Sequence, residues 1–290
     1  MFNLFSTIEH SFQKIIDKLR GKPDIPALSE YISTLAGLVK RPKDLNTVIF
    51  GSSHFKFGYL PQEHQYNIAM ASQDLYYSYQ FYKKYANGVK NVVLGYSYFS
   101  PYHVLVKCKF ADLAMVVKII EGIDYQYPES AQKKELDKLE KRCKNYILKS
   151  FKRKVKSFPE NNIGFLTSYK GYYEPPSQEF INTARKTFKR EHVQICYLKK
   201  IIEETCNNNQ NLLIVCPPMS DDFIHNFKEE TDKNISEMYD IVKDYPKVRV
   251  ANYFCDKDFS NADFEDMEHL SYNGAEKLTQ KIQEELKKFN

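Results

Sequence analysis

The alternation of short apolar runs with longer helix-prone segments is the feature that most constrains the fold of this chain. Each run has the length of a buried strand. Strands that alternate with helices form parallel sheets covered on both faces. The sequence therefore predicts an α/β fold, a three-layer α/β/α sandwich around a five-stranded parallel sheet. The five runs are TVIF (47–50), YNIAMAS (66–72), VKNVVLGYSYFSP (89–101), NLLIVCPP (211–218) and KVRVANYF (247–254).

Capping residues indicate where several helices begin. A serine side chain can accept a hydrogen bond from a backbone N–H of the first helical turn. Ser72 is therefore predicted to cap a helix that runs to about Ala86. Ser220 and Ser271 are predicted to cap the helix after the fourth strand and the C-terminal helix. A further helix is predicted from about 178 to 206.

The strand pattern divides the chain into an arm and a domain. Residues 1–45 precede the first strand and are predicted to form an N-terminal amphipathic helical arm, whereas residues 46–290 are predicted to form the α/β domain. The segment from about 101 to 206 is too long for one crossover helix, so a helical insertion is expected there. Because the loops of a parallel sheet meet at its carboxyl edge, this insertion is expected to border a site at that edge.

The N-terminal segment MFNLFSTIEHSFQKIIDKLRGK combines an apolar stripe with basic side chains. Glu9 and His10 interrupt the apolar character, so no signal peptide is predicted, and no segment reaches the ~20 apolar residues of a membrane span. A cytoplasmic location is expected. Packing of the stripe on the protein is the favoured interpretation, and peripheral contact with a membrane is the alternative. The stripe consists of Phe5, Ile8, Phe12, Ile15 and Leu19.

Composition and charge limit the class of function. The 290 residues include 42% hydrophobic and 27% charged side chains, which is enough to bury a core. A net charge of +5 suits an anionic substrate or membrane headgroups and is too small to indicate a nucleic acid partner. The six cysteines include no C-x-x-C pair, so free thiols are expected and neither a disulfide framework nor a zinc site is predicted.

Two polar motifs lie where an open α/β sheet places active sites: GSSH (51–54) directly after the first strand, and DMEHLSYNG (266–274) ahead of the last helix. A serine nucleophile needs a histidine to accept its proton and a carboxylate to orient that histidine. Asp266 and His269 are three residues apart, which lets the carboxylate reach the nearer ring nitrogen. The sequence therefore predicts a Ser53–His269–Asp266 triad. The alternatives for these residues are a strand-end cap, a structural hydrogen-bonding histidine and a turn carboxylate.

This arrangement resembles the SGNH (GDSL-type) hydrolase superfamily, whose nucleophile lies in a G-D-S motif after the first strand and whose Asp and His lie in a D-x-x-H motif before the last helix. VIFGSSH, NVVLGYSYFSP and HLSYNGAEKLT look closest to a divergent branch that includes the D-alanine transfer protein of teichoic acid synthesis and the alginate-type O-acetyltransferases. The resemblance covers roughly residues 46–100 and 210–290. It implies a flavodoxin-like, SGNH hydrolase-like sandwich.

The resemblance assigns roles to individual positions. Ser53 matches the nucleophile, His269 the general base and Asp266 the residue that orients the base. Ser52 takes the place of the motif aspartate, so it is not the expected nucleophile.

The oxyanion hole implied by the resemblance departs from the family pattern. Ser72, or Ala71, stands where the family has a glycine whose backbone N–H donates to the oxyanion. Ser97 stands where the family has an asparagine whose side chain donates. Losing one such donor costs about 10²–10³ in rate. We therefore expect Ser97, Gln73 or a backbone N–H to substitute, unless hydrolysis is weak.

The resemblance implies an SGNH-type serine O-acyltransferase or esterase that acts on a saccharide or cell-surface glycan precursor through an acyl-serine intermediate. This chemistry requires no metal or cofactor. Acetyl-coenzyme A is a candidate acyl donor, although no glycine-rich phosphate loop supports it. The alternative is a non-catalytic SGNH-like protein that binds a glycan or a partner in envelope polymer assembly. The predicted substrate-lining residues are Gln73, Tyr96, Tyr98 and His54, the last with a structural role as its alternative.

Overall fold

The computed structural model of this protein describes most of the chain, and every structural statement below concerns the described residues. These are residues 26–108, 111–126, 130–160, 162–164, 171, 173–188 and 190–289. The predicted amphipathic stripe of the N-terminal arm lies outside them. The chain divides into two compact units, one formed by residues up to 39 with 105–158 and the other by residues 40–104 with 159–290. The segment 101–206, predicted as one insertion, is therefore divided between the two units.

The second unit is built on a parallel sheet. From edge to edge its strands are β2 (Gln65–Asn67), β1 (Thr47–Phe50), β3 (Asn91–Gly95), β4 (Asn211–Cys216) and β5 (Val248–Asn252), and each neighbouring pair is parallel. The predicted fold class, an α/β protein with a five-stranded parallel sheet flanked by helices, is confirmed.

Helices connect the strands and also form the first unit, in which α1, α4 and α5 pack against one another. No helix within the described ranges is both long and apolar enough to cross a membrane. The described helices are α1 Pro26–Val39, α2 Ser53–Gly58, α3 Leu75–Tyr85, α4 Ala111–Glu121, α5 Ser130–Ser157, α6 Gln178–Thr187, α7 Ile195–Asn207, α8 Asp221–Val242 and α9 Tyr272–Lys287.

Two of the three predicted serine caps are confirmed. Ser220 accepts from the N–H of Phe223, and Ser271 accepts from the N–H of Gly274, both at 3.3 Å. The prediction for Ser72 is wrong, because the carboxylate of Asp74 caps α3 instead.

The predicted helix over 178–206 is interrupted between α6 and α7. Gln194 is fully buried in this interruption. Its backbone N–H donates to the carbonyl of Pro101, and its side-chain oxygen accepts from the N–H of Tyr76. The bond to Pro101 occupies the backbone N–H that a continuous helix would use within itself, and the bond from Tyr76 fixes the side chain.

The strand order places a crevice between β1 and β3. These strands pair from Thr47 with Asn91 to Phe50 with Leu94, so the residues after Phe50 and Gly95 leave the sheet at the same edge. The direction of winding reverses at this point, and open α/β sheets bind ligands in such crevices.

One side of the sheet packs on α9. Ile49 and Val93 of the sheet belong to one buried cluster with Leu278 and Ile282 of α9. This packing brings the segment before α9 to the edge at which β1 ends.

Candidate active site

Ser53 is the first residue of α2, which starts three residues after β1 ends. Ser52 and His54 on either side of it are 3% and 2% exposed, whereas Ser53 is only partly buried. Of the two serines in the GSSH motif, Ser53 is thus the one that a ligand can reach. This agrees with the prediction that Ser52 is not the nucleophile.

The predicted triad geometry is confirmed. His269 Nε2 lies 2.8 Å from Ser53 Oγ, although the two residues are 216 positions apart. His269 Nδ1 lies 2.9 Å from one carboxylate oxygen of Asp266 and 3.1 Å from the other. An ionised carboxylate can only accept, so the proton of a neutral His269 lies on Nδ1. The lone pair of Nε2 then faces the Ser53 hydroxyl, which is the arrangement of a general base and its nucleophile.

Asp266 is held in its ionised form by hydrogen bonds. Burial opposes its ionisation, but hydrogen bonds from the His269 ring and from the N–H groups of Glu268 and His269 outweigh burial and keep the pKa of the carboxyl below its ordinary value. The two backbone bonds are 2.8 and 2.7 Å long. The charge that fixes the tautomer of His269 therefore persists at neutral pH.

A closed loop presents Asp266 and His269. The N–H of Glu265 donates to the carbonyl of His269, and the N–H of Ser271 donates to the carbonyl of Asp263. Phe264 and Leu270 form an antiparallel bridge across the base of the loop, and their side chains are buried. Because its base is tied to the core, the loop holds both triad members in a fixed relation.

The turn that contains Ser72 lies beside the nucleophile loop, since the N–H of Met70 donates to the carbonyl of Gly51. Ser72 has a φ of 56°. This left-handed conformation is the one that glycine adopts at no steric cost, so the serine keeps the backbone shape expected of a glycine. The N–H groups of Ser53 and Ser72 donate to no other described residue. Both are available to an oxyanion.

His103 fixes the carbonyl side of the same turn. Its Nε2 lies 3.0 Å from the carbonyl oxygen of Ser72 and must carry a proton to donate to it. Burial lowers the pKa of His103 to about 4, so the ring is neutral. The sequence analysis did not find this residue, because nothing in the local pattern around position 103 indicates which distant carbonyl it meets.

The Ser97 hydroxyl is directed into the fold. It lies 2.6 Å from His54 Nδ1 and 3.3 Å from Ser52 Oγ, and only 1% of the residue is exposed. The side-chain amide of Gln73, the other predicted substitute for the missing asparagine, donates to Ser78 Oγ. Backbone N–H groups are consequently the oxyanion donors that this geometry leaves free.

The predicted substrate-lining set needs correction. His54, Gln73 and Tyr96 are 1–3% exposed, so their side chains belong to the interior and not to the wall of an open crevice. Tyr98 is the member that is partly exposed, and its hydroxyl donates to a carboxylate oxygen of Glu268 at 2.6 Å. The sequence pattern does not give the direction of these side chains, which is determined by the helices that pack around the strand ends.

Two residues that the sequence analysis did not assign to the site also lie at the triad. The Phe57 ring meets the His269 ring edge-on, with 5.9 Å between centroids. Its position one helical turn after Ser53 could have indicated this contact. The carboxylate of Glu268 accepts from the hydroxyl of Tyr98, and burial raises the pKa of Glu268 above its ordinary value.

Comparisons with known proteins do not assign this chain to a family. No model of a known protein family matches it, and no curated protein sequence matches it significantly. Within the described ranges, no group of three or more His, Cys, Asp or Glu side chains is arranged to hold a metal ion.

Proposed function

We propose that this protein is a serine-dependent enzyme of the SGNH type that handles acyl esters, as an O-acyltransferase or esterase on a saccharide or glycan. The observation that carries the proposal is the continuous link from Ser53 Oγ through His269 to Asp266, with contacts of 2.8 and 2.9 Å. The placement of Ser53 directly after β1, at the carboxyl edge of the sheet where open α/β sheets bind ligands, supports it. The saccharide class comes from the family resemblance alone.

The reaction would proceed in two steps. Ser53 Oγ attacks the acyl carbonyl while His269 Nε2 takes its proton, and the N–H groups of Ser53 and Ser72 stabilise the resulting oxyanion. The ester bond breaks as His269 returns the proton to the leaving alkoxide, which leaves an acyl-serine. Water or a sugar hydroxyl then gives its proton to His269 and attacks the acyl-serine, whose ester bond breaks as His269 returns the proton to Ser53 Oγ. Transfer dominates where the site positions a hydroxyl better than water.

A non-catalytic binding protein is the second candidate. The observation that favours it is the orientation of Ser97, whose hydroxyl contacts His54 and leaves the oxyanion with no side-chain donor at the asparagine position. Losing one donor costs about 10²–10³ in rate. An enzyme of this kind would be slow, and a binding protein would need no such donor.

Labelling with a fluorophosphonate probe tests the proposal, because the probe forms a covalent bond with an activated serine. We expect one adduct, mapped by mass spectrometry to Ser53, and slow hydrolysis of a chromogenic acetyl ester. Ser53→Ala should abolish both, whereas Ser157→Ala, at an exposed serine on α5, should retain both. Absence of any adduct in the folded wild-type protein would reject the enzyme and leave the binding protein.

A further inference from the structure

His54 is a buried imidazole next to the triad that the proposed reaction does not use. It is 2% exposed, and its ring stacks on that of His269 with 5.2 Å between centroids and 30° between planes. Its Nδ1 contacts Ser97 Oγ at 2.6 Å, while its Nε2 has no hydrogen-bond partner among the described residues. Ser52 Oγ is a longer contact of Nδ1, at 3.3 Å, so the ring is anchored through this nitrogen and presents a flat face to the general base.

The ring of His54 belongs to a row of aromatic rings, which we call the aromatic wall: His54, Phe99 and His103. Phe99 lies 5.5 Å from His54 and 5.1 Å from His103, measured between ring centroids. His269 contacts the first ring of the wall, and the last ring donates to the carbonyl of Ser72. The wall thus joins the general base to the turn that offers a backbone N–H to the oxyanion.

The hydrogen bonds of His54 indicate where its proton lies. Burial, assisted by the neighbouring His269, lowers the pKa of His54 well below its ordinary value, so the ring is neutral and carries one N–H. A buried N–H without an acceptor is rarer than a buried acceptor without a donor. The proton is accordingly on Nδ1 and is donated to Ser97 Oγ, which can in turn donate to Ser52 Oγ at 3.3 Å.

We propose that His54 is a positioning residue, whose neutral ring, anchored by Ser97, holds the ring of His269 at the Ser53 hydroxyl. The expected effect on rate rests on the proposed function, whereas the contact between the His54 and His269 rings can be tested by structure alone. It also gives Ser97 a role different from that of the asparagine it replaces: Ser97 orients His54 and does not touch the oxyanion. What the site needs from His54 is the shape and neutrality of the ring, not a proton.

Three variants separate ring shape from ring nitrogen. His54→Ala removes the ring, so His269 loses its packing surface. The double variant His54→Phe with Ser97→Ala keeps a ring and removes the hydrogen bond between these two residues, so that no buried Ser97 hydroxyl is left without a partner. Ser52 Oγ loses its contacts with both residues in this variant. His225→Ala, at an exposed histidine on α8, is the matched control and should behave as wild type. If His54→Ala does not fold, His54→Asn, which lacks the ring but can still bond to Ser97, takes its place.

Crystal structures and labelling rates give two independent readouts. In His54→Ala we expect the 2.8 Å contact between His269 Nε2 and Ser53 Oγ to lengthen beyond hydrogen-bond distance, and the double variant to restore it. For the acetyl ester, kcat should fall about 10- to 100-fold with KM nearly unchanged, since misplacement of a catalytic group by 1 Å can cost about 10². The double variant should recover at least about tenfold of that loss.

Each outcome decides the proposal. An unchanged contact and rate in His54→Ala would remove any positioning role. A folded double variant with the contact restored but the rate as low as in His54→Ala would show that a nitrogen of His54 takes part in the chemistry. If the wild type forms no adduct at Ser53, the proposed function fails, while the structures of the variants still decide whether His54 positions His269.

Discussion

Asp266 is the residue on which the tautomer of the general base depends. Its two oxygens accept from the His269 ring and from two backbone N–H groups at once. The two backbone bonds orient the carboxylate independently of its contact with the His269 ring. The three-residue spacing of D-x-x-H permits both kinds of bond in a single turn.

Asp266→Asn should lower kcat/KM for an acetyl ester by about 10²–10⁴. An amide can turn its NH₂ towards His269 Nδ1, which moves the ring proton to Nε2. His269 then has no lone pair to accept the proton of Ser53. The same substitution of the aspartate in a serine protease triad causes a loss of about 10⁴ in kcat. The measurement is steady-state kinetics with a thermal melt of each protein. Asp258→Asn, at an exposed carboxylate that pairs with Lys281, is the control. Activity above about a third of wild type would contradict the role of Asp266.

Residue types and spacing were enough to predict the triad but not the surroundings of the triad. Ser53, His269 and Asp266 follow from two short motifs, because local turns and strand ends determine where those side chains lie. The orientation of His54 and Ser97 and their mutual hydrogen bond could not be predicted, since the two residues follow different strands and their directions depend on tertiary packing. The same holds for His103, whose partner is a distant carbonyl.

At the scale of elements, the triad loop and α9 pack closely at their junction. A Cβ added at Gly274 would clash with the backbone carbonyl oxygen of Asp263 and would lie 2.8 Å from a methyl carbon of Leu270. That carbonyl accepts the N–H of Ser271, which helps to close the loop. A glycine at this point lets the first turn of α9 approach the loop.

Gly274→Ala should therefore displace the triad loop. We expect a loss of about 1–3 kcal/mol in the free energy of unfolding, as for overpacked sites, and a decrease of roughly tenfold or more in the rate of Ser53 labelling. Gly58→Ala is the matched control, because its Cβ would meet another methyl carbon of Leu270 at an ordinary 3.4 Å. Denaturant melts and labelling kinetics measure both effects. Equal labelling rates in the two variants would show that the loop tolerates the clash.

The helix boundaries show which elements can be predicted from local sequence. Ser220 and Ser271 each cap the helix that they precede, and both predictions are correct. Ser72 and Asp74 both belong to residue types that can cap α3. Because the backbone at Ser72 is left-handed, Asp74 is the residue that caps the helix. The break near Gln194 depends on contacts with Pro101 and Tyr76, which no local pattern contains.

At the scale of the whole molecule, the candidate site exists only because the sheet brings distant parts of the chain together. The strand order 2-1-3-4-5 places β1 in the interior of the sheet, and α9 packs its apolar face beside β1. The parallel arrangement of the strands follows from the alternation of strands and helices, so it could be predicted, whereas the alternation does not determine the order of the strands. The division into two units could not be predicted. It depends on which helices pack against one another, and the periodicity of apolar residues within a helix does not contain that information.

One carboxyl in the first unit should make a contribution to stability that decreases as pH rises. Asp112 lies in the first turn of α4, and burial raises its pKa to about 6 against the opposing hydrogen bonds from its own N–H and that of Leu113. In the unfolded chain its pKa is about 3.9. Between these values Asp112 binds its proton more tightly in the folded protein than in the unfolded chain, so its contribution to stability is greatest below about pH 4 and is lost as pH rises through 6.

Asp112→Asn should remove that decrease, because an amide stays neutral at every pH while it keeps an acceptor for the backbone bonds. A rise of the pKa from 3.8 to about 6 corresponds to roughly 3 kcal/mol at most. We expect a gain of about 1–3 kcal/mol at pH 7.5 that shrinks towards zero near pH 4, measured by chemical denaturation across this range. Asp124→Asn, at a carboxylate that is 82% exposed in the same unit, should show no such trend. A gain for Asp112→Asn that stays constant with pH would mean that the charge of Asp112 is not its cause.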